Sequence, residues 1–257
     1  AQRGVYRFLG RVSGSEGDGP TRAWVALIEA IESRDAKQRD DALRGIRMAT
    51  MPEGDLITDI DQFLDRLPSL HQHRKTLAGI LETVAVEDQA VVAKLWAYVE
   101  AEDAGQTPRD QTRREIAAQA LANVANRYPE YFDDIDRCIR QVQTDDDRVV
   151  ASFLSIIESV WGGQPAVLEP HWSVLMNHFD PEASQARLRT LLDLMLSMAI
   201  EYPDQVDTEG LRQLTSHESA HIRTLVYDIL GYAGPPTAYA QLTERAEVED
   251  QEQAQHT

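Results

Sequence analysis

The sequence predicts an all-α fold of stacked helical hairpins, and three features carry that prediction: a repeat, a recurring proline and a recurring apolar stripe. Arg39, Arg74, Arg114, Arg148, Arg189 and Arg223 stand 35, 40, 34, 41 and 34 residues apart, so any two successive steps span 74 or 75 residues. Long and short units alternate, which gives about six helical-hairpin repeats in three double units of ~75 residues. The triplets Met51-Pro52-Glu53, Tyr128-Pro129-Glu130 and Tyr202-Pro203-Asp204 keep the same beat, with prolines 77 and 74 residues apart. Periods of roughly 20 to 50 residues mark supersecondary units that cannot bury an apolar face alone and must stack on their neighbours.

The stripe defines an inner helix in each unit. Three, seven and ten residues after the marker arginine stand Ala42, Ile46 and Ala49; Leu77, Leu81 and Val84; Ala117, Leu121 and Val124; Leu192, Leu196 and Ala199; Val226, Leu230 and Ala233. That spacing places all three on one helical face. In the fourth unit the stripe is Val150, Leu154 and Ile157, one residue early for Arg148. Asp35, Asp110, Thr144 and Ser219 precede the arginines by four residues and Ser69 and Ser184 by five; they read as N-caps whose side chains accept from first-turn amides.

Partner helices lie between the inner ones. Their stripes are Trp24, Leu27, Ile28 and Ile31; Leu56, Ile60, Phe63, Leu64 and Leu67; Val92, Leu95, Trp96 and Val99; Phe132, Ile135, Cys138, Ile139 and Val142; Leu168, Trp172, Leu175, Met176 and Phe179. Each can bury one side only. The prolines fall where a helix starts, since proline lacks an amide that the first turn would leave unsatisfied. Gly162-Gly163, the one glycine pair, stands where the fourth inner helix ends, the ordinary place for a left-handed residue. No alternating apolar run bounded by hairpin turns argues for a sheet.

The last unit resembles the HEAT and armadillo class of α-solenoids: Leu214-Thr-Ser-His-Glu-Ser-Ala-His-Ile222-Arg223, then Val226, Ile229, Leu230, Gly231 and Ala233. Gln111 to Leu121, with Arg114, Ala117 and Ala120, is similar. The resemblance covers about residues 21 to 245 and concerns architecture. It implies a right-handed α-α superhelix, marker arginines bridging to acids of neighbouring repeats, and a concave face that binds another macromolecule.

Domain boundaries follow. Residues 1–20 form an N-terminal arm or cap with a Gly/Ser linker, 21–247 a single solenoid domain, and 248–257 an acidic disordered tail. In the arm, Arg3, Arg7 and Arg11 would share a helical face among Val5, Tyr6, Phe8 and Leu9, as a docking arm or as a cap over the first repeat's apolar edge. The chain begins at Ala1 without methionine, so a repeat segment of something larger is a further possibility.

Composition narrows the setting. Against 23 Asp and 20 Glu stand 22 Arg and 3 Lys, and the formal charge is −18 at pH 7. An acid excess with almost no lysine looks like the soluble proteome of a salt-in halophile, where carboxylates hold surface water and salt screens their repulsion. Nucleic acid is not an expected partner, because no clustered Lys and Arg form a phosphate track. The single cysteine, Cys138, excludes an internal disulfide, and no apolar run is long enough for a membrane span. With no basic segment leading into an apolar signal core, a cytoplasmic location is expected.

His217-Glu218-Ser219-Ala220-His221 matches the zinc-protease motif, which needs both histidines one turn apart on one continuous helix with the glutamate activating water. The repeat frame puts Ser219 at an N-cap, so the two histidines fall on either side of a helix start; a zinc hydrolase is the reading the frame opposes, and no structural metal is expected. The other histidine pairs, His71 with His73 and His171 with His178, lack companions to complete a metal site. No nucleophile elbow or phosphate-cradling loop is present. Acidic runs such as Asp145-Asp146-Asp147 read as solvated surface or first-turn charge.

The expected function is therefore a non-catalytic protein–protein interaction scaffold or adaptor without a cofactor, its partner another protein or a peptide. Outward inner-helix positions are Gln119, Asn123, Ser152, Ser155, Asp193, Ser197 and Asp228, a polar strip suited to such a partner. The alternative is a HEAT-like DNA-modifying enzyme of the glycosylase type. It would need a basic groove and aromatic residues around a flipped base; the sequence supplies Trp96, Trp161 and Trp172 but not the groove.

Overall fold

Each of the six marker arginines lies on its own helix. The computed structural model describes residues 26–27, 29–30, 35–50, 74–87, 89–101 and 107–234. Among these the only regular structure is helical: α1 (Ala36–Thr50), α2 (Arg74–Glu87), α3 (Gln89–Glu100), α4 (Pro108–Ala125), α5 (Ile135–Val142), α6 (Asp147–Trp161), the short α7 (Pro165–Leu168) and α8 (Trp172–Met176), α9 (Gln185–Glu201) and α10 (Ala220–Ala233). Two compact units divide the chain, residues 1–131 and 132–257. The N-terminal arm with Arg3, Arg7 and Arg11, the cap Ser69, the partner stripe from Leu56 to Leu67, and the acidic tail lie outside the described residues.

In the first unit α1 packs on α2, α2 packs on α4, and α3 fills the angle between α2 and α4. The inner stripe is the seam: Ala42, Ile46, Leu77, Leu81, Ala117, Leu121 and Val124 are all fully buried. From α3 come Leu95 and Val99, buried as their spacing predicts. Thr107, one residue ahead of Pro108, caps α4 by accepting from the Asp110 amide at 3.2 Å. The cap thus lies three residues earlier than Asp110, because Pro108 can stand at the first helical position where Asp110 sits in the first turn. Arg127 just after α4 pairs with Glu82 of α2 at 3.2 Å, and the proline turn Pro129–Tyr131 is 3₁₀, with Tyr128 and Tyr131 rings stacked at 5.5 Å.

The second unit repeats the plan. α5 packs on α6, α6 on α9 and α9 on α10, while α7 bridges α6 and α9 and α8 rests on α5. Asp146 rather than Thr144 caps α6, accepting from the amides of Arg148 and Val149 at 3.0 and 3.2 Å. Thr144 turns the other way and donates to the Gln141 carbonyl at 3.0 Å. That shift explains the early stripe: α6 starts late against Arg148, and Val150, Leu154 and Ile157 are buried in register with Leu192 and Val226. Ser184 caps α9 as expected.

Pro170 interrupts the partner helix that the sequence suggests through residues 168–179. Proline cannot donate its amide into a helix interior, and the chain runs as α7, a 3₁₀ turn at Glu169–His171 and α8. The apolar positions still reach the core: Leu168, Trp172 and Leu175 are buried. The Trp172 Nε1 donates to the Gln205 carbonyl at 3.0 Å, and the Gln205 amide nitrogen donates to Glu169 at 3.0 Å, which ties this segment to the Pro203–Gln205 turn. Gly162 ends α6 with φ −55°, not in the left-handed region. What demands glycine is space, since a Cβ there would collide with the Glu158 carbonyl oxygen.

Principal contacts within each unit run between helices no more than three places apart in the chain. This is helical-repeat packing, in which each hairpin is sealed by its neighbours.

Candidate functional site

The inner helices of the second unit can be aligned by their stripes, with α6 leading α9 by 42 residues and α9 leading α10 by 34. One row of that alignment is Ala151, Asp193 and Tyr227, all half-buried; the next is Ser155 and Ser197, half-buried, with Gly231 exposed; the third is Glu158, half-buried, with Ile200 exposed. These rows make a strip of mostly small and polar side chains in which Ile200, at 55% exposure, is the one exposed large aliphatic residue.

Two predicted strip residues belong elsewhere. Ser152 and Asp228 share a register with Leu194, which is fully buried. Ser152 is 7% exposed and donates to the Arg148 carbonyl at 2.9 Å, so its hydroxyl is satisfied along its own helix and faces packing rather than an open surface. Asp228 is exposed because among the described residues no inner helix follows α10. The next register position shows the same thing: Ile156 and Met198 are fully buried while Tyr232 is 58% exposed. Among the described residues, Asp228 and Tyr232 therefore sit on an end face.

Gln119 and Asn123 of α4 belong to the first unit, half-buried, with the Gln119 amide donating to the Asn123 side-chain oxygen at 3.2 Å. In the second unit, Ser155 and Asp193 come with companions that the sequence did not single out. Burial, and after it the Asp193 carboxylate, raises Glu158 above its ordinary value of 4.5, opposed by Arg189 and by a hydrogen bond with Ser159. Arg189 itself is 61% exposed and pairs with Asp193 at 3.5 Å along α9. The signal for Glu158 was its register with Ile200, legible only once the fourth stripe is shifted.

The bridging arginine of this repeat is Arg187, two residues before the marker. Its Nη1 meets Asp147 of α6 at 3.1 Å and its Nη2 donates to the His178 carbonyl at 3.1 Å. Arg223 closes the equivalent turn before α10, donating to the carbonyls of His217 and Glu218 at 2.8 and 3.1 Å.

His217 precedes α10 and His221 lies within it, so the zinc-motif residues do not share a helix. The His217 Nδ1 accepts from the Ser219 amide at 3.0 Å. Ser219 occupies the N-cap position without a side-chain cap bond. Among the described residues no three His, Cys, Asp or Glu side chains are grouped to hold a metal ion. Trp96, Trp161 and Trp172 are exposed by only 5, 6 and 5%, which leaves none of their rings open to stack on a base. No helix of the described residues is long and apolar enough to cross a membrane.

No family model and no curated protein matches the sequence. Solved structures do show similarity: an engineered protein of the Northeast Structural Genomics Consortium (14% identity, TM-score 0.48, 96% of this chain and 68% of that one), a designed armadillo repeat protein (15%, 0.47, 81% and 98%), and a designed armadillo repeat protein in complex with the peptide (KR)4 (14%, 0.46, 81% and 98%).

Proposed function

We propose that the protein is a non-catalytic binding scaffold whose second unit engages an extended peptide segment of another protein along the α6–α9 strip. The observation that supports this reading most is the electrostatic closeness of Glu158 on α6 to Asp193 on α9, in a register strip that also holds Ser155, Ser197 and the exposed Ile200. An apolar anchor beside carboxylates suits a segment that offers a basic side chain next to an apolar one, with the small serines allowing close approach of its backbone. A chain of charge −18 also attracts a basic partner at long range, less so as salt rises.

The test is fluorescence anisotropy with three labelled peptide pools of equal length: basic-apolar, acidic-apolar and neutral polar. Preferential binding of the basic-apolar pool, weakened about tenfold or more by Ile200→Ser or Asp193→Asn, supports the reading. Equal binding of all pools, or indifference to both substitutions, overturns it. Circular dichroism of each variant separates lost binding from lost fold.

A further inference from the structure

His178 lies in the turn after α8, half-buried, and its ring and its backbone are both held by one guanidinium. The Arg187 Nη2 donates to the His178 carbonyl at 3.1 Å and lies 3.5 Å from the ring Nδ1, while Nη1 of the same residue reaches Asp147 at 3.1 Å. Arginine carries donors only and stays charged. The contact at Nδ1 is therefore attractive only when that nitrogen carries a lone pair; with both ring nitrogens protonated, two cations face each other across 3.5 Å.

We infer that His178, Arg187 and Asp147 form a pH-sensitive latch: neutral His178 keeps Arg187 clasped on the turn before α9, and protonation of the ring loosens that turn from α9 while Asp147 retains the guanidinium on α6. The charged groups that act on the ring are Arg187 from α9 and Asp147 from α6. Burial is the largest influence and, with Arg187, holds the imidazole below its ordinary 6.5, whereas Asp147 opposes them. The sign follows. Below pH 6.5 the unfolded chain takes up the proton before the folded one does, so stability present above 6.5 is lost as the pH falls toward the folded value.

The experiment is an NMR titration of the full chain, reading the His178 ring nitrogens by long-range ¹H–¹⁵N correlation and the exchange of backbone amides 178–188. In the unaltered protein we expect the proton on Nε2 at neutral pH, a titration midpoint below 6.5, and amide protection in this turn that drops about tenfold through the same midpoint, the scale of one charge-assisted hydrogen bond. Asp147→Asn should move the midpoint further down and Arg187→Gln should move it up. In His178→Gln the drop in protection should vanish, although the turn still folds. A midpoint at the ordinary value that neither substitution moves, or a drop in protection that persists in His178→Gln, would overturn the latch. Asp147 is 90% exposed, so its variant keeps the fold and the test holds even where Arg187→Gln does not fold.

Discussion

Arg187 in the first turn of α9 meets Asp147 in the first turn of α6 at 3.1 Å, 40 residues apart in the chain. The pair is lopsided: the Arg187 side chain is 16% exposed and that of Asp147 90%. Removing one partner should therefore not cost what removing the other does. Asp147→Ala should lower stability by less than about 1 kcal/mol, as for an ion pair open to water. Arg187→Ala should cost about 1–2 kcal/mol, because the packed stem and the bond to the His178 carbonyl go with it. Urea unfolding of both variants checks the ordering, and equal losses would show that the ion pair alone matters.

The N-caps give a second prediction. Thr107→Ala and Asp146→Ala each remove a side chain that accepts from first-turn amides and should cost about 1 kcal/mol. Thr144→Ala, which removes only a bond to the preceding turn, should cost less than Asp146→Ala. Thermal melts of the three proteins decide which residues begin α4 and α6.

Both caps show where sequence reading stops. The six inner helices and most of their stripe residues were legible because an apolar period of three and four is imposed by burial itself; Leu196 and Ala233 are only half-buried, and the side chains of Ala49 and Val84 lie outside the described residues. The caps were displaced by two or three residues because aspartate and threonine are interchangeable at several first-turn positions, and only backbone geometry separates them. Ser152, expected to face outward, was misplaced for a related reason. A position's exposure in a repeat depends on whether another helix lies over it, which composition does not record. Arg187 escaped notice because the marker Arg189 keeps the period; the structure uses the arginine that faces α6 instead.

Trp172 supplies a third prediction. Its Nε1 donates to the Gln205 carbonyl from a site only 5% exposed. Trp172→Phe keeps an aromatic ring but leaves that carbonyl short of a donor, and should cost about 1–3 kcal/mol, more than Glu169→Ala, which removes an exposed contact to the same glutamine. Chemical unfolding measures both.

Glu158 gives a pH prediction of opposite sign to that of His178. Its folded value is raised above 4.5, chiefly by burial and then by Asp193. The stability that its protonated form contributes is fully present below 4.5 and lost as the pH rises through the folded value. Glu158→Gln should therefore be more stable than the unaltered protein at pH 7, with the advantage shrinking as the pH falls toward 4.5. Unfolding midpoints measured at several pH values would show a constant gap if burial of Glu158 were irrelevant.

A fifth concerns Gly162. Gly162→Ala should destabilise the end of α6 by about 1–3 kcal/mol, since the new methyl would press on the Glu158 carbonyl oxygen, a backbone atom that cannot turn aside. Gly163→Ala, with open space around it, should be nearly silent. Differential scanning calorimetry of the pair reads the contrast.

In residues 132–234, α10 leans mainly on α9 and the turns beside it, whereas α5 leans mainly on α6 and α8. Among these described helices α5 and α10 do not lean mainly on each other, and heat need not melt both together. Loosening can begin at α10 and travel inward, so calorimetric and spectroscopic transitions should separate. A damaged hairpin at one edge then costs the protein that edge first, while the remaining hairpins stay wound.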